Sequence, residues 1–211
     1  GKQPIKSISE GATTMPYFVK GLAPDIFTIP ELLDADECQV LMDKGEALGF
    51  ELATINTMSG HIKAPEVRNN DRAIWDDPRY AAELWERISP LIPEGPEGQP
   101  PVGLNERWRF YRYEPGQQFK CHRDGSLVLP PRVVEGIKLP MGRSLTTLMI
   151  YLNDSCQGGE TAFFTERGTE FLRVRPETGM ALCFAHQILH EGCTVTSGQK
   201  YVLRTDIMYK P

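Results

Sequence analysis

Apolar residues recur at the helical period in two segments of the first half of the chain. Asp34 and Glu37 have the spacing of a capping box, which predicts a helix that begins there and ends at Gly49. Its predicted buried stripe consists of four residues: Val40, Leu41, Ala47 and Leu48. A second helix is predicted to begin at Asp77-Pro78 and to stop at Pro93. Its stripe is longer: Ala81, Leu84, Trp85, Ile88, Leu91 and Ile92.

The second half of the chain has the period of two that is typical of strands. Strands are predicted over 107–113 and 116–122, joined by a turn at 114–116, and a further strand over 200–209. We therefore predict a mainly β fold of the α+β type, a double-stranded β-helix (jelly roll) over 102–210. The helical region, 31–92, would cover the outer face of one sheet. Residues 94–101, rich in proline and glycine, are interpreted as a loop within one domain.

Composition limits the possible functions. At 211 residues the chain has the size of a single domain, predicted over 25–211 and preceded by an arm over 1–24. The net charge of −5 argues against binding to nucleic acid, which needs a basic surface. The sequence contains neither an 18-residue apolar run nor a signal-peptide pattern, so we expect it not to cross a membrane. The five scattered cysteines predict reduced thiols and a cytoplasmic protein.

The candidate chemistry lies in four residues: His122, Asp124, His190 and Lys200. Residues i and i+2 of a strand point to the same face, so His122 and Asp124 could bind one ion from one strand. Two imidazoles and one carboxylate form the facial triad that holds ferrous iron, although three ligands alone do not exclude zinc. A hairpin between His190 and Lys200 would place a cation beside the metal, where it suits an anionic co-substrate that chelates iron.

Three segments resemble the iron(II)- and 2-oxoglutarate-dependent dioxygenases, specifically their prolyl 4-hydroxylase-like branch. They are 113–124; 145–153 with the Gly-Gly-Glu-Thr motif at 158–161; and 176–184 with His190 and Gly198-Gln-Lys200. The resemblance extends over about residues 26–210 and is strongest after residue 105. It implies an enzyme that oxidises an unactivated C–H bond with O₂ and releases succinate and CO₂.

The resemblance also implies a role for each matching residue. His122, Asp124 and His190 would be the iron ligands, and Lys200 would pair with the distal carboxylate of 2-oxoglutarate. The remaining co-substrate contacts would be Tyr113, as a hydrogen-bond donor to that carboxylate, and Thr161. Ascorbate is the reductant that such a site implies.

Substrate contacts are implied at Arg68 and Glu106, although strand parity places Glu106 and Tyr113 on opposite faces. Asp206 falls where peptide-hydroxylating relatives can carry an aromatic residue, which weakens the case for a proline-rich substrate and suggests a cationic one. The segment 125–143, with three prolines and no clear periodicity, is interpreted as a possible lid at the cavity mouth.

Three functions are compatible with these residues. The first is hydroxylation of an amino-acid residue, by default prolyl, in a peptide or protein. The second is the same chemistry on a free amino acid or another small metabolite. The third is a non-catalytic barrel that binds a metal or an anion, which the complete set of ligands with Lys200 disfavours. A zinc hydrolase is a more remote option, because no general-base carboxylate lies near the ligands in sequence.

Overall fold

The computed structural model describes residues 17–211, which form twenty strands and two α-helices. The helices are α1 (Ala35–Leu48) and α2 (Pro78–Ile88), and a 3₁₀ turn, Ser89–Leu91, follows α2. The strands of the first half are β1 (Lys20–Ala23), β2 (Ile26–Ile29), β3 (Glu51–Leu52), β4 (Ile55–Thr57), β5 (Gly60–Ile62), β6 (Asp71–Asp76) and β7 (Pro101–Leu104). Those of the second half are β8 (Arg107–Tyr113), β9 (Phe119–His122), β10 (Val128–Leu129), β11 (Arg132–Val134), β12 (Ile137–Leu139), β13 (Gly142–Tyr151), β14 (Gln157–Gly158), β15 (Thr161–Phe164), β16 (Glu170–Val174), β17 (Ala181–Ala185), β18 (Leu189–Gly192), β19 (Val195–Ser197) and β20 (Lys200–Tyr209).

Two antiparallel sheets face each other. The major sheet runs β1-β2-β17-β13-β20-β8-β6-β3, with β10 also paired to β13 and β7 to β20. The minor sheet runs β16-β15-β18-β9, and β14 pairs with β19 in a separate ribbon. The chain of the second half crosses between the two sheets several times, for example from β8 to β9 and from β17 to β18, as it does in a jelly roll. The predicted mainly β fold is confirmed.

The capping box of α1 is present, but the predicted buried stripe is largely wrong. Asp34 accepts a hydrogen bond from the Glu37 amide at 2.7 Å, and Glu37 accepts one from the Asp34 amide at 3.2 Å. Leu41 is buried with Cys38 and Gly45, whereas Val40 is 67% exposed. The helix therefore packs through Leu41 together with the small residues Cys38 and Gly45, which a search for large apolar residues does not find.

The second helix agrees more closely with its prediction. The Asp77 side chain caps it, Pro78 occupies its first turn, and Ala81, Leu84 and Ile88 are buried. Trp85 and Leu91 are partly buried against the same core. Among residues 17–211, no helix is long and apolar enough to span a bilayer.

Two apolar clusters lie on opposite faces of the major sheet. The outer cluster joins both helices to outward-facing residues such as Trp108, Leu148 and Leu203. The inner cluster, which includes Tyr113 and Phe184, lies between the two sheets. The helices therefore support one face of the major sheet, as predicted, and leave the space between the sheets for chemistry.

Two predicted irregular segments have more structure than expected. The arm predicted over 1–24 lies outside the described residues up to residue 16, but Lys20–Ala23 forms β1 and pairs with β2 because Leu22 and Ala23 pack on the inner cluster. The segment 125–143 contains β10 and the hairpin β11–β12, and β10 pairs with β13. Pairing to the major sheet fixes its base, so the prediction that this segment lacks regular secondary structure is wrong, while its role as a lid stays a prediction.

The outward face of β20 generates a stability prediction. Leu203 is fully buried between the major sheet and the helices, so Leu203→Ala should lower the free energy of unfolding by about 2–5 kcal/mol through lost apolar contacts and a residual cavity. Urea denaturation followed by circular dichroism measures the change. Leu48→Ala, at a residue that is 48% exposed, is the matched control and should change stability by less than about 0.5 kcal/mol. Equal effects of the two substitutions would contradict this assignment of the core.

Candidate metal centre

The structure brings together three of the predicted residues at one point between the sheets. The ligand atoms of His122, Asp124 and His190 all lie within 4.8 Å of one another. Asp124 Oδ1 is 3.4 Å from Nε2 of His122 and 3.5 Å from Nε2 of His190. No other group of this kind is found among residues 17–211.

The minor sheet positions these side chains. His122 ends β9 and lies directly opposite His190 on the neighbouring strand β18. Strand β9 stops at His122, so Asp124 is not on the strand as predicted. Its amide donates to the carbonyl of His186 at 3.1 Å, which holds the turn that brings its carboxylate beside His122.

The protonation states of these groups fit a divalent cation. Nδ1 of His122 lies 2.7 Å from the carbonyl of Lys120, and Nδ1 of His190 lies 2.9 Å from the carbonyl of Ile188. A carbonyl only accepts, so each Nδ1 carries the proton and each Nε2 keeps its lone pair for the shared point. Burial lowers the pKa of His190 to about 4, so its imidazole is neutral at pH 7.

A buried polar network surrounds the Asp124 carboxylate. Thr147 donates to Asp124 Oδ2 at 2.5 Å, and Arg204 Nη2 lies 3.3 Å from the same oxygen. Burial alone would raise the pKa of Asp124, but the Arg204 guanidinium and the two imidazoles hold it well below its usual range. The carboxylate is therefore ionised, as a metal ligand must be. The triad and this network suit Fe(II) or a similar divalent ion.

Asp206 belongs to this network and not to a free anionic surface. It is buried, its Oδ1 lies 3.2 Å from Nη2 of Arg204, and His186 lies 3.6 Å away. Asn105 donates to its other oxygen at 3.4 Å. Arg204 already compensates its charge, so this position gives no support to the prediction that Asp206 attracts a cationic substrate.

Lys200 faces the same cavity from the opposite sheet. It lies directly opposite Tyr113 on β8, and its Nζ sits 4.0 Å from the centre of the Tyr113 ring. His190 and Lys200 are therefore not partners in one hairpin, as the sequence suggested: β18 belongs to the minor sheet and β20 to the major sheet. They approach each other across the cavity, and both line it.

The Lys200 ammonium is buried without a carboxylate partner among residues 17–211. Its Nζ donates to the carbonyl of Gly159 at 2.9 Å, and burial lowers its pKa to about 8. Gly159 has a φ of +71°, and an added Cβ would lie 3.1 Å from the Lys200 side chain. This gives the Gly-Gly-Glu-Thr motif a physical reason. An uncompensated buried cation is costly, so the position fits an anionic co-substrate.

The two other predicted co-substrate residues lie in the same part of the cavity. Tyr113 is buried, and its hydroxyl occupies the space that a side chain at Gly192 would need, since an added Cβ would lie 3.1 Å from it. Thr161 is buried and lines the cavity, but its hydroxyl already forms a 2.6 Å hydrogen bond with Tyr151. Tyr151, which the sequence analysis did not single out, therefore takes up part of the hydrogen-bonding capacity of the Thr161 hydroxyl.

Of the two predicted substrate residues, one lines the cavity and the other does not. Arg68 is buried and lines the cavity. Glu106 does not line it and instead forms a two-pronged ion pair with Arg132 of β11. The parity argument against Glu106 is consistent with this position, and Glu106 is replaced as a candidate by residues that sequence reasoning missed. Those residues are Arg72, Arg109, Tyr111 and Arg204.

This chain is similar in sequence to a known protein family and to several known proteins. A family model described as the 2OG-Fe(II) oxygenase superfamily matches residues 108–205. A PKHD-type hydroxylase of Paraburkholderia xenovorans is 27% identical, over 81% of this chain and 72% of its own. A probable prolyl 4-hydroxylase 9 of Arabidopsis thaliana is 23% identical, over 96% of this chain and 77% of its own.

Solved structures are similar in fold. A Pseudomonas putida prolyl-4-hydroxylase superposes with a TM-score of 0.59 at 18% identity, over 89% of this chain and 94% of its own. A Trichoplax adhaerens prolyl hydroxylase, solved with a hypoxia inducible factor oxygen degradation domain peptide fragment, gives 0.60 at 15% identity, over 87% and 83%.

The triad generates a metal-binding prediction. His122→Ala and His190→Ala should each weaken Fe(II) binding by at least about a hundredfold, since even loss of an outer partner of a metal ligand costs about 10–100-fold. Anaerobic calorimetry measures this affinity. His61→Ala is the matched control, because His61 is exposed and not part of the triad. Unchanged affinity in either triad variant would remove that histidine from the site.

The buried lysine generates a pH prediction. Its pKa of about 8 in the free protein means that it loses its charge as the pH rises above that value. An anion binds the charged form, so affinity for 2-oxoglutarate should fall above pH 8, by up to about tenfold per pH unit. Anaerobic calorimetry from pH 7 to pH 10 tests this.

Lys200→Met should bind 2-oxoglutarate weakly and without that pH dependence, while Fe(II) affinity stays near that of the unsubstituted protein. Lys210→Met, at an exposed lysine, should keep the full dependence. The same pH profile in Lys200→Met would show that another group holds the anion.

Proposed function

We propose that this chain, a 2OG-Fe(II) oxygenase of the prolyl 4-hydroxylase-like branch, hydroxylates an amino-acid residue, prolyl by default, in a peptide or protein. It is a 2-oxoglutarate-dependent dioxygenase, and the family implies Fe(II), 2-oxoglutarate and O₂ as its reactants at the site. The peptide substrate and the prolyl specificity are the parts that we propose.

One observation carries the proposal. The metal-ligand triad and an uncompensated buried ammonium line a single cavity of about 540 Å³. That volume lies within the usual range for a site that binds small molecules, roughly 300–1,000 Å³. A metal site alone fits many functions, and a buried lysine alone fits many anions. Their combination is what an oxygenase with a chelating dicarboxylate co-substrate needs.

Each residue has a physical task in this proposal. His122, Asp124 and His190 would hold Fe(II), which when bound supplies the oxidising chemistry that consumes O₂ and 2-oxoglutarate and releases succinate and CO₂. Lys200 would neutralise the distal carboxylate of 2-oxoglutarate by a charge-assisted hydrogen bond, to which the Tyr113 hydroxyl adds a donor.

Arg204 and Thr147 have a supporting task near the metal. Both contact the Asp124 oxygen Oδ2, whereas the two imidazoles lie near Oδ1. They would therefore keep the carboxylate oriented with Oδ1 toward the metal and prevent its protonation. A site with these contacts intact is built for turnover, which argues against the non-catalytic barrel.

A small acidic metabolite is the second candidate substrate. The observation in its favour is the excess of cationic side chains in the cavity, where Arg68, Arg72 and Arg109 accompany the co-substrate lysine. Prolyl side chains themselves carry no charge for these residues to pair with. The names of the relatives favour a prolyl residue in a peptide, since they include prolyl 4-hydroxylases and a prolyl hydroxylase solved with a peptide fragment.

The proposal is tested by following labelled oxygen. The protein is incubated with Fe(II), 2-oxoglutarate, ascorbate as reductant and labelled O₂, together with separate peptide and metabolite fractions of a cell lysate. We expect succinate formation to rise with the peptide fraction and label to appear on its prolyl residues, as read by mass spectrometry. His122→Ala should give neither product.

The two fractions separate the alternatives. Label confined to the metabolite fraction would replace the peptide with a small substrate. Absence of iron-dependent succinate with either fraction, in a protein that binds Fe(II), would contradict the oxygenase proposal itself.

A further inference from the structure

We propose that Arg68, Arg72 and Arg109, here called the arginine cluster, form an anion-binding subsite that holds a carboxylate of the substrate beside the metal centre. This inference deepens the proposed function: it rests on that function for the word substrate, but not for the binding of the anion. It assigns the chemical class of the substrate, an acidic molecule, which the triad and Lys200 leave open.

The strand register places the cluster on one wall of the cavity. Arg72 lies opposite Tyr111 where β6 pairs with β8, and Arg109 lies two residues before Tyr111 on the same face of β8. Arg68 precedes β6 and forms an isolated bridge with Phe119, the first residue of β9. All three arginines line the cavity.

Arg68 is the most firmly held member. Its guanidinium lies between two aromatic rings, 4.6 Å from the centre of Tyr111 and 4.2 Å from that of Phe119. Nε donates to Asn70 at 2.8 Å and Nη1 to the carbonyl of Thr54 at 3.3 Å. Arg68 is only 6% exposed, yet its Nη2 has no hydrogen-bond partner, and neither has Nη1 of Arg109. Two buried donors at one wall therefore lack an acceptor.

The other charges of the cavity are already compensated or assigned. Arg204 pairs with Asp124 and Asp206, and Arg123 with Glu166. Lys200 lies four residues before Arg204 on β20, roughly 13 Å along the strand. One small anion therefore cannot contact both Lys200 and Arg204.

The arginine cluster has no such compensation. Within residues 17–211, none of its members forms an ion pair within 4.0 Å, and Glu51, opposite Arg72 on the adjacent strand, opposes the Arg72 charge only from a longer distance. The potential at the cluster is positive: burial alone would raise the pKa of Tyr111, but the guanidiniums of Arg68, Arg204 and Arg109 lower it to about 8. Burial and the neighbouring Arg68 and Arg109 also lower the pKa of Arg72.

The cluster lies close to the metal centre, so an anion bound there would belong to the substrate. The Phe119 ring that carries the Arg68 guanidinium also stacks on the His122 imidazole, with ring centres 3.5 Å apart. An anion on Arg68 is therefore one aromatic ring away from a metal ligand. The planar fork of a guanidinium matches a carboxylate with two parallel hydrogen bonds, so a carboxylate close to the oxidised carbon is the group that fits.

A binding experiment on the metal-free protein tests the cluster without any turnover. Sulfate serves as the oxyanion probe and is titrated by calorimetry at constant ionic strength against chloride. We expect saturable binding that the double variant Arg68→Gln/Arg109→Gln weakens by at least about tenfold. Lys200→Gln should keep the arginine-dependent part of this binding, because any sulfate held by that lysine occupies a separate position. Arg175→Gln, at an exposed arginine, is the matched control and should bind sulfate like the unsubstituted protein.

Folding of the variants is checked by circular dichroism. If the double variant unfolds, the single variant Arg109→Gln decides, since Arg109 is only partly buried; we expect at least about threefold weaker binding from the loss of one charged donor. Absence of saturable sulfate binding, or binding that is lost with Lys200 and indifferent to the arginines, would overturn the proposal.

Matched substrates then separate the two sources of a carboxylate. Proline-containing peptides are compared with a free or an amidated C-terminus, and with an acidic or a neutral residue beside the proline. We expect at least about tenfold lower KM for the acidic member of one pair, and a ratio near one in Arg109→Gln. Equal KM values for both pairs would overturn the substrate assignment. A protein that binds sulfate at the cluster but forms no succinate would instead contradict the proposed function and leave the anion subsite standing.

Discussion

The period of two along β20 is the constraint on which the rest of the molecule depends. Its outward residues, among them Leu203 and Ile207, are buried against the helices in the outer cluster. Its inward residues include Lys200, Arg204 and Asp206, which line the cavity. A slip of one residue would exchange the two sets and bury three charges in the apolar layer. Pairing with β13 on one side and β8 on the other prevents that slip, because this strand has neighbours along nearly its whole length.

The charged side chains of the cavity can be buried because most of them contact a side chain of opposite charge. There are two exceptions. Asp124, Arg204 and Asp206 form a contiguous set in which each charge contacts an opposite one. Lys200 and the arginine cluster do not have such partners. A folded protein tolerates an uncompensated buried charge at a cost of several kcal/mol, and such costs are typical of sites that a ligand completes. The distribution of unpaired charge therefore separates the structural part of the cavity from its binding part.

The sequence predicts much of the fold because the relevant signals are local. The capping box at Asp34 and the stripe of α2 depend on residues within a few positions of one another, and both agree with the structure. The strand at 107–113 and the jelly roll are also confirmed. The stripe of α1 fails because that helix packs through Cys38 and Gly45. Small residues that allow close approach carry no hydrophobic signal in a sequence.

The site was predictable where one motif carries it and unpredictable where strands from distant parts of the chain meet. His122 and Asp124 are two residues apart, so the sequence keeps them close, although a turn held by the Asp124 amide, and not an extended strand, brings the carboxylate beside His122. The partner of Glu106 follows only from the position of the hairpin β11–β12, which no local pattern encodes. The prediction that Asp206 attracts a cationic substrate leaves out its pairing with Arg204, two residues away on the same face of β20. Alternation on one strand would have suggested it.

The same geometry explains why similarity in fold does not name the substrate. The metal ligands come from the minor sheet and its edge, whereas the arginine cluster comes largely from β6 and β8 of the major sheet. Substitutions at Arg72 or Arg109 would change the charge that faces the substrate without moving a metal ligand. The ion pairs of the triad involve Arg204 and neither of these two arginines. Proteins that share this fold can thus keep one oxidising centre and differ in what they oxidise. The substrate of this chain is therefore to be sought in the charge of that wall, where two buried guanidinium nitrogens lack an acceptor.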